Sequence, residues 1–230
     1  MAMLAQRARQ DERMDDPALP PADYAAVLSD LARVNTVTLA ARPTLAFLAR
    51  AVGRQPRFRL LDVGFGQGDM LRRVARWADN RGIAAELVGV DLNPNSAPAA
   101  SAATPAGMAI DYRTGDYADL SSEPWDIIVS SLVAHHMTDD QLLAFLRFME
   151  THARIGWMVN DLHRHRFAHA GFPILAALMR WHPIVAADGT LSIARAFRPP
   201  EWHALLSQAD AASARVVRRF PFRLCVERIR

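Results

Sequence analysis

Short apolar runs and amphipathic segments alternate through most of the chain. The runs typical of buried strands are Phe58–Val63, Ala85–Val90, Ala109–Tyr112, Trp125–Ser131 and Ile155–Val159. Between them lie segments with the apolar spacing of helices, which are Met70–Ala78, a weak alanine-rich stretch around 97–103, and Asp139–His152. Strands that alternate with helices at this spacing indicate right-handed βαβ units around a parallel sheet.

The two ends of the chain differ from this alternation. Residues 1 to about 20 are polar and are expected to form a loose lead-in, and two helices are predicted over residues 23–52, separated at Pro43. Near the C-terminus, Ala214–Phe220 and Phe222–Glu227 leave too little room for a crossover connection. They therefore predict an antiparallel hairpin.

The predicted fold is α/β. It is a doubly wound, Rossmann-like sheet of seven strands, mostly parallel, with a C-terminal antiparallel hairpin and additional N-terminal helices. Residues 1–55 are expected to form the lead-in and capping helices, and residues 56–230 the domain that contains the sheet.

The charge of the chain comes from arginine. The sequence has 27 basic residues and no lysine, and its formal net charge is +3. Six arginines concentrate near the C-terminus, at Arg215, Arg218, Arg219, Arg223, Arg228 and Arg230. Because aromatic residues are not interleaved with them, we interpret this set as a solvated strand face and expect no nucleic-acid partner.

Cysteine content and apolar stretches restrict the class of protein further. The single cysteine, Cys225, excludes an intramolecular disulfide and a cysteine-rich metal site. The longest apolar stretch, Phe172–Val185, is interrupted by Arg180 and His182 and is shorter than a membrane-spanning helix. The N-terminus lacks an apolar core of signal-peptide length. We expect a cytoplasmic protein without membrane insertion, and the sequence leaves a homodimer open.

A glycine-rich loop follows the first predicted strand. Asp62, Gly64, Gly66 and Gly68 lie at alternate positions where this strand turns into a helix. Glycines there bring bare backbone to the carboxyl edge of the sheet, which is where open α/β sheets bind ligands.

Acidic residues follow the next two strands. Asp91 ends the second strand and is suited to accept hydrogen bonds from a ribose diol. Asp116 follows the third strand, where its carboxylate could accept the exocyclic amine of an adenine and Tyr117 could offer a ring face. Three such elements at consecutive strand ends indicate an adenosine site.

With this set of motifs the chain resembles the class I S-adenosylmethionine-dependent methyltransferases. The resemblance covers roughly residues 56–230 and includes Trp125–Ser130 as the fourth strand and the terminal hairpin. It implies S-adenosylmethionine as cofactor and a methyltransferase domain over 56–230. The donor residues that it implies are Asp62, Gly64, Gly66, Gly68, Asp91, Leu92, Asp116, Tyr117 and Ser131, with Leu92 and Tyr117 flanking the adenine ring. Phe65 departs from the small residue or cysteine that many members have in the loop.

A nicotinamide or flavin site is the competing interpretation of the glycine loop. The dinucleotide fingerprint has a glycine three positions after the second one, where this chain has Asp69. A pyrophosphate would be repelled by Asp62 and Asp69, whereas a ligand that carries an ammonium and a sulfonium would not. The sequence favours the methyl donor.

Histidines follow the fourth and fifth strands. His135 and His136 come directly after the fourth strand, where either could act as a base or orient one. After the fifth strand, Asp161 and His163 could form an acid–imidazole pair. A metal site at the histidines of this second cluster lacks a further carboxylate, so no metal is predicted.

The acceptor is expected to be a small hydroxylated molecule such as a phenol, quinol or polyketide. The resemblance is greatest to the ubiquinone/menaquinone-type branch, on the segments Asp30–Asn35 and Asn160–His163. Methylation at oxygen is preferred over carbon. A protein that binds the donor without turnover and, less favoured, a nicotinamide oxidoreductase are the remaining alternatives.

Overall fold

A computed structural model describes residues 4–16 and 18–230. Within this part of the chain, seven strands form one sheet: β1 (Arg57–Val63), β2 (Ala84–Asp91), β3 (Asp111–Thr114), β4 (Trp125–Ser131), β5 (Ala153–Leu162), β6 (Arg215–Arg219) and β7 (Arg223–Ile229). Their order is β3-β2-β1-β4-β5-β7-β6, and β7 is antiparallel to both of its neighbours. The predicted fold class, with its C-terminal antiparallel pair, is confirmed.

The same part of the chain has eight α-helices. They are α1 (Pro21–Val37), α2 (Ala41–Val52), α3 (Asp69–Asp79), α4 (Ser96–Ala103), α5 (Asp139–His152), α6 (Arg166–Met179), α7 (Pro183–Arg195) and α8 (Pro199–Gln208). Helices α2 and α3 pack on one face of the sheet, and α5 and α8 pack on the other. No described helix combines the length and the apolarity that a bilayer crossing requires.

The two N-terminal helices separate earlier than predicted. The break falls at Thr38–Ala40, where Leu39 has a φ of 55°, and Pro43 is the third residue of α2. A proline in the first turn does not break a helix, because its missing N–H would have no partner within the helix there.

The start of the chain is packed rather than loose. The Arg7 guanidinium donates to the carbonyl oxygen of Arg195, and Asp188 accepts the backbone N–H groups of Arg13 and Met14. Glu12 is buried. We call residues 4–16 the N-terminal strap, and it lies against α7 and the loop after β4.

The first half of β7 contains a buried arginine and a buried cysteine. Arg223, predicted to lie on a solvated face, is only 2% exposed because it starts β7 next to Leu162 of β5. Cys225 follows two residues later on the same face, and burial raises the pKa of its thiol to about 12. Its Sγ lies 3.6 Å from Oδ1 of Asn160.

Candidate active site

The glycine loop faces a cavity of about 760 Å³ at the carboxyl edge of the sheet. Gly66 lines it with a φ of 54°, and a Cβ at this position would meet nothing within 4 Å. Gly68 starts α3 instead, and a Cβ there would come within 2.4 Å of the Tyr112 hydroxyl. Gly66 therefore offers backbone to a ligand, whereas Gly68 permits the close packing of the turn.

Asp91 holds the glycine loop at the cavity wall. Its Oδ2 accepts the backbone N–H of Gly66 at 2.9 Å, and its Oδ1 accepts that of Asn93 at 2.9 Å. The Asp91 side chain thus connects the end of β2 to the glycine loop after β1. The Asp91 carboxylate lines the cavity, where it can meet a ribose.

In the loop after β3, Asp116 does not line the cavity although its two neighbours do. Oδ1 of Asp116 accepts the backbone N–H of Ala118 at 2.9 Å, and this side chain is exposed and is not part of the cavity lining. Gly115 and Tyr117, on either side of it, do line the cavity. The role predicted for Asp116 at an adenine amine stays a prediction.

Tyr117 and Leu92 line the cavity just after the ends of β3 and β2. The Tyr117 ring packs 4.8 Å from that of Phe145, and burial, with the charge of Asp116, raises the pKa of the phenol. Leu92 is 74% exposed and also lines the cavity. A ring held in place and a solvent-facing aliphatic side chain suit a planar base.

Two buried polar atoms beside the loop lack hydrogen-bond partners among the described residues. They are Oδ1 of Asp62 and Oγ of Ser131, and both residues line the cavity. Burial, together with the charges of Asp69 and Asp91, raises the pKa of Asp62 well above its usual value. A buried acceptor without a donor is unfavourable, so this pair fits a ligand that brings an ammonium group, as S-adenosylmethionine does.

Phe65 does not obstruct the loop. Its ring lies 5.0 Å from that of Tyr112 and covers Gly89, where a Cβ would come within 2.6 Å of it. The side chain belongs to the core cluster of α2 and α3. The departure of Phe65 from the family pattern is therefore a packing feature beneath the loop.

His135 is held by Asp161 at the end of β5. Its ring Nδ1 is 2.7 Å from Oδ1 of Asp161, and its backbone N–H donates to Oδ2 at 2.8 Å. Burial acts against the charge of Asp161, but His135 and the N–H of Leu162 hold the pKa of Asp161 below its usual value. An ionised carboxylate can only accept, so Nδ1 carries the proton and Nε2 can take one.

Glu12 of the N-terminal strap lies beside both histidines. Its Oε1 is 3.7 Å from Nε2 of His135 and 3.7 Å from Nε2 of His136. The two imidazole rings are 4.3 Å apart, and all three residues line the cavity. Sequence reasoning did not find Glu12, since only the fold brings the lead-in to the end of β4.

The same three side chains place their ligating atoms within 4.8 Å of one another, a spacing that could hold a metal ion. Glu12 is already supplied with other contacts. The Ser192 hydroxyl donates to its Oε1 at 2.8 Å, and Nη1 of Arg195 lies 3.9 Å away. This cation and hydroxyl give the carboxylate a structural role without a metal.

His163 lies apart from this group. Its backbone N–H donates to the carbonyl oxygen of Phe222, its ring is 5.5 Å from that of His165, and it is not part of the cavity lining. Burial and the neighbouring cations Arg218 and His165 lower its pKa. The structure pairs Asp161 with His135 and not with His163.

Comparisons with known proteins agree with this geometry. Residues 60–156 match the family model described as a methyltransferase domain. A search of the curated proteins gave no match. Among solved structures, the magnesium protoporphyrin IX methyltransferase of Synechocystis with bound S-adenosylhomocysteine is 16% identical, with a TM-score of 0.56 over 84% of this chain and 83% of that chain.

Two further structures are similar. The plantazolicin methyltransferase BamL, in complex with a triazolic desmethylPZN analogue and S-adenosylhomocysteine, is 16% identical, with a TM-score of 0.62 over 84% of this chain and 68% of that chain. A putative O-methyltransferase of Nostoc punctiforme is 17% identical, with a TM-score of 0.62 over 99% of this chain and 66% of that chain. At these identities the likeness shows the shared fold.

The matched domain includes the glycine loop and Asp91, and the cavity beside them is lined by two residues with buried polar atoms that lack partners among the described residues, Asp62 and Ser131. Residues 60–156 are therefore a methyltransferase domain, within a fold shared with methyltransferases that bind S-adenosylhomocysteine.

Proposed function

We propose that the protein transfers a methyl group from S-adenosylmethionine to a hydroxyl oxygen of a small, largely apolar acceptor such as a phenol, quinol or polyketide. The observation that carries this proposal is the His135–Asp161 pair, which opens on the same cavity as the glycine loop. A hydroxyl becomes an effective nucleophile when it loses its proton, and an oriented imidazole can accept that proton.

The mechanism uses this pair as follows. The donor supplies a methyl group on a positively charged sulfur, so the protein has to align the two reactants and exclude water. Asp161 keeps the proton of His135 on Nδ1, and Nε2 takes the proton of the acceptor hydroxyl. The charge of Asp161 then stabilises the imidazolium that forms. Glu12, 3.7 Å from both Nε2 atoms, stabilises the same positive charge.

The walls of the cavity support an acceptor with apolar surface. Side chains of α1, α6 and α7 form an apolar wall of the cavity, among them Leu28, Leu31, Phe172, Leu175 and Ile193. We assign residues 1–55 the role of a cap, because α1 and the N-terminal strap contribute to this wall while the sheet domain holds the donor. Enclosure of this kind keeps water from the reacting atoms.

The test is methyl transfer from labelled donor to a panel of phenols, quinols and polyketide-like acceptors. Replacing His135 with Asn removes the base but keeps a polar side chain whose amide can still donate to Asp161, and we expect turnover to fall by roughly 10²- to 10⁴-fold. Affinity for S-adenosylhomocysteine, measured by calorimetry, should remain within about twofold. His165→Asn is the matched control, since His165 is not part of the cavity lining.

The outcomes separate the alternatives. Full activity of His135→Asn would place proton removal elsewhere, first at His136. A methylated product whose new group is bonded to carbon would replace O-methylation with C-methylation of the same acceptor class. Tight donor binding without transfer to any member of the panel would support a donor-binding protein without turnover.

A further inference from the structure

Arg223 is a buried cation without an ion-pair partner among the described residues. Its Nη2 donates to Oγ1 of Thr38 at 3.2 Å, while Nε and Nη1 have no hydrogen-bond partner in the described part of the chain. The side chain is 2% exposed and lines the cavity. Burial lowers the pKa of this guanidinium, and the attraction of Asp161 and Asp69 only partly offsets that effect.

A guanidinium in this situation is unfavourable in the protein alone. A buried charge without a bonded counter-charge has lost its hydration and gained no compensating partner. A ligand with a negative charge would compensate the buried guanidinium. The planar guanidinium group can donate two parallel hydrogen bonds to a carboxylate. The position of Arg223 at the cavity therefore indicates a carboxylate-bearing ligand.

Unpaired acceptors line the same cavity as Arg223. Oδ1 of Asn35 and Oδ1 of Asp62 are buried without donors among the described residues, and both side chains line the cavity. Asp69 interacts with Asn35, with Asp62 and with Arg223. It accepts Nδ2 of Asn35 at 3.3 Å and is electrostatically coupled to both Asp62 and Arg223.

This arrangement is complementary to a zwitterion. Arg223 offers a cation with unused N–H groups, and Asn35 and Asp62 offer oxygen atoms that need donors. An α-amino acid group carries a carboxylate and an ammonium a few ångströms apart, and the methyl donor has such a group at the end of its methionine portion.

We propose that Arg223 and Asn35 hold the amino acid end of the donor. The guanidinium binds the carboxylate, and Oδ1 of Asn35 together with Oδ1 of Asp62 accepts hydrogen bonds from the ammonium. This inference rests on the proposed donor site and deepens it. Asn35 and Arg223 lie outside the matched span 60–156, on α1 and β7, so the cap and the C-terminal strand both take part in donor binding.

The experiment compares S-adenosylhomocysteine with 5′-methylthioadenosine, which has the same nucleoside but no amino acid group. Calorimetry on the full chain gives both affinities for wild type and for Arg223→Met, whose apolar side chain fills similar volume without a charge. We expect the affinity for S-adenosylhomocysteine to fall roughly 10- to 150-fold, the range for a hydrogen bond to a charged group. Affinity for 5′-methylthioadenosine should change less than about twofold.

Arg215→Met is the matched control, because Arg215 is exposed on β6. It should leave both affinities unchanged. Unchanged binding of S-adenosylhomocysteine by Arg223→Met, or an equal loss for both ligands, would overturn the proposal. Failure of wild type to bind either ligand would instead refute the donor site itself.

A measurement on wild type covers the case in which Arg223→Met does not fold. Decarboxylated S-adenosylhomocysteine keeps the ammonium and lacks the carboxylate. It should bind roughly 10- to 150-fold more weakly than the parent ligand, for the same reason. Equal affinity for the two would overturn the role of Arg223 without use of any variant.

Discussion

Asp62, which we propose as a donor-binding residue, also affects how the stability of the protein depends on pH. It is 1% exposed, and burial with the nearby Asp69 and Asp91 raises its pKa. The folded state therefore holds a proton on Asp62 more tightly than the unfolded state, whose carboxyl pKa is about 4. Its contribution to stability is greatest below that unfolded value and is lost as the pH rises through the folded pKa.

We predict that Asp62→Asn raises the melting temperature of the ligand-free protein. Asn keeps the shape of the side chain but cannot become a buried charge, so the gain should be larger at pH 8 than at pH 5. Thermal melts at the two pH values measure it, and the same variant should bind S-adenosylhomocysteine more weakly. A lower melting temperature at pH 8 would contradict this account.

Some residues of the candidate site could be predicted from a local sequence motif, and others could not. Gly66, Asp91 and Tyr117 were predicted because each follows a strand at a motif position, and the structure places all three at the cavity. Asn35 and Arg223 gave no such signal. Each reaches the cavity only through the packing of a distant element, and no pattern in one sequence encodes that contact.

At the scale of elements, the N-terminal strap is the largest departure from expectation. A polar segment with prolines predicts a loose lead-in, yet three separate groups anchor it. Asp188 accepts two of its N–H groups, Arg195 donates to the carbonyl oxygen of Gln10, and Arg7 forms an ion pair with Asp139. The buried acceptor Asp188 lies on α7, a helix that the apolar pattern did not predict.

We predict that Asp188→Asn loosens the strap without unfolding the sheet. An amide oxygen can replace only one of the two carboxylate acceptors, so one strap N–H loses a charged partner. Hydrogen exchange should become roughly 10- to 150-fold faster in peptides covering residues 4–16, in line with a loss of about 1.5–3 kcal/mol.

Strands β1 and β4 provide the internal reference for this measurement, and Asp140→Asn provides a matched control at an exposed position. Exchange that rises equally in the strap and in the two strands would show global destabilisation. In that case the strap would not open as a unit.

The secondary elements themselves were mostly predictable. β4 and α5 have the predicted bounds because their apolar periodicity is strong and their ends carry turn and capping residues, such as Thr138 with Gln141. β5 extends beyond its apolar run because Asn160 and Asp161 find hydrogen-bond partners inside the protein. Buried polar residues of this kind hide a strand from any hydrophobicity pattern.

At the scale of the whole molecule, the fold followed from the order of elements alone. Alternating strands and helices, with one closing hairpin, leave few topologies once right-handed crossovers are required. The same order brings the ends of β1, β2 and β3 to one edge, which is why a donor site could be predicted there from the sequence. The acceptor wall could not, since α1, α6 and α7 come from both ends of the sequence.

We predict that the donor product stabilises the entire protein. At a ligand concentration about 100 times the Kd, binding adds about 2.7 kcal/mol to the free energy of unfolding. For a chain of this size that corresponds to a rise in melting temperature of roughly 5–10 °C. Thermal shift with S-adenosylhomocysteine measures it, and reduced nicotinamide dinucleotide should give no shift. The reverse pattern would favour an oxidoreductase.

The chemistry of Cys225 makes it a reporter of opening events. It is the chain's single cysteine, and the pKa of about 12 leaves almost no thiolate at neutral pH in the folded state. A maleimide should therefore react only in molecules whose β7 has opened, so the labelling rate counts unfolding events. A cysteine introduced on the surface would in turn accept a fluorophore at one chosen position, with negligible background from the native thiol.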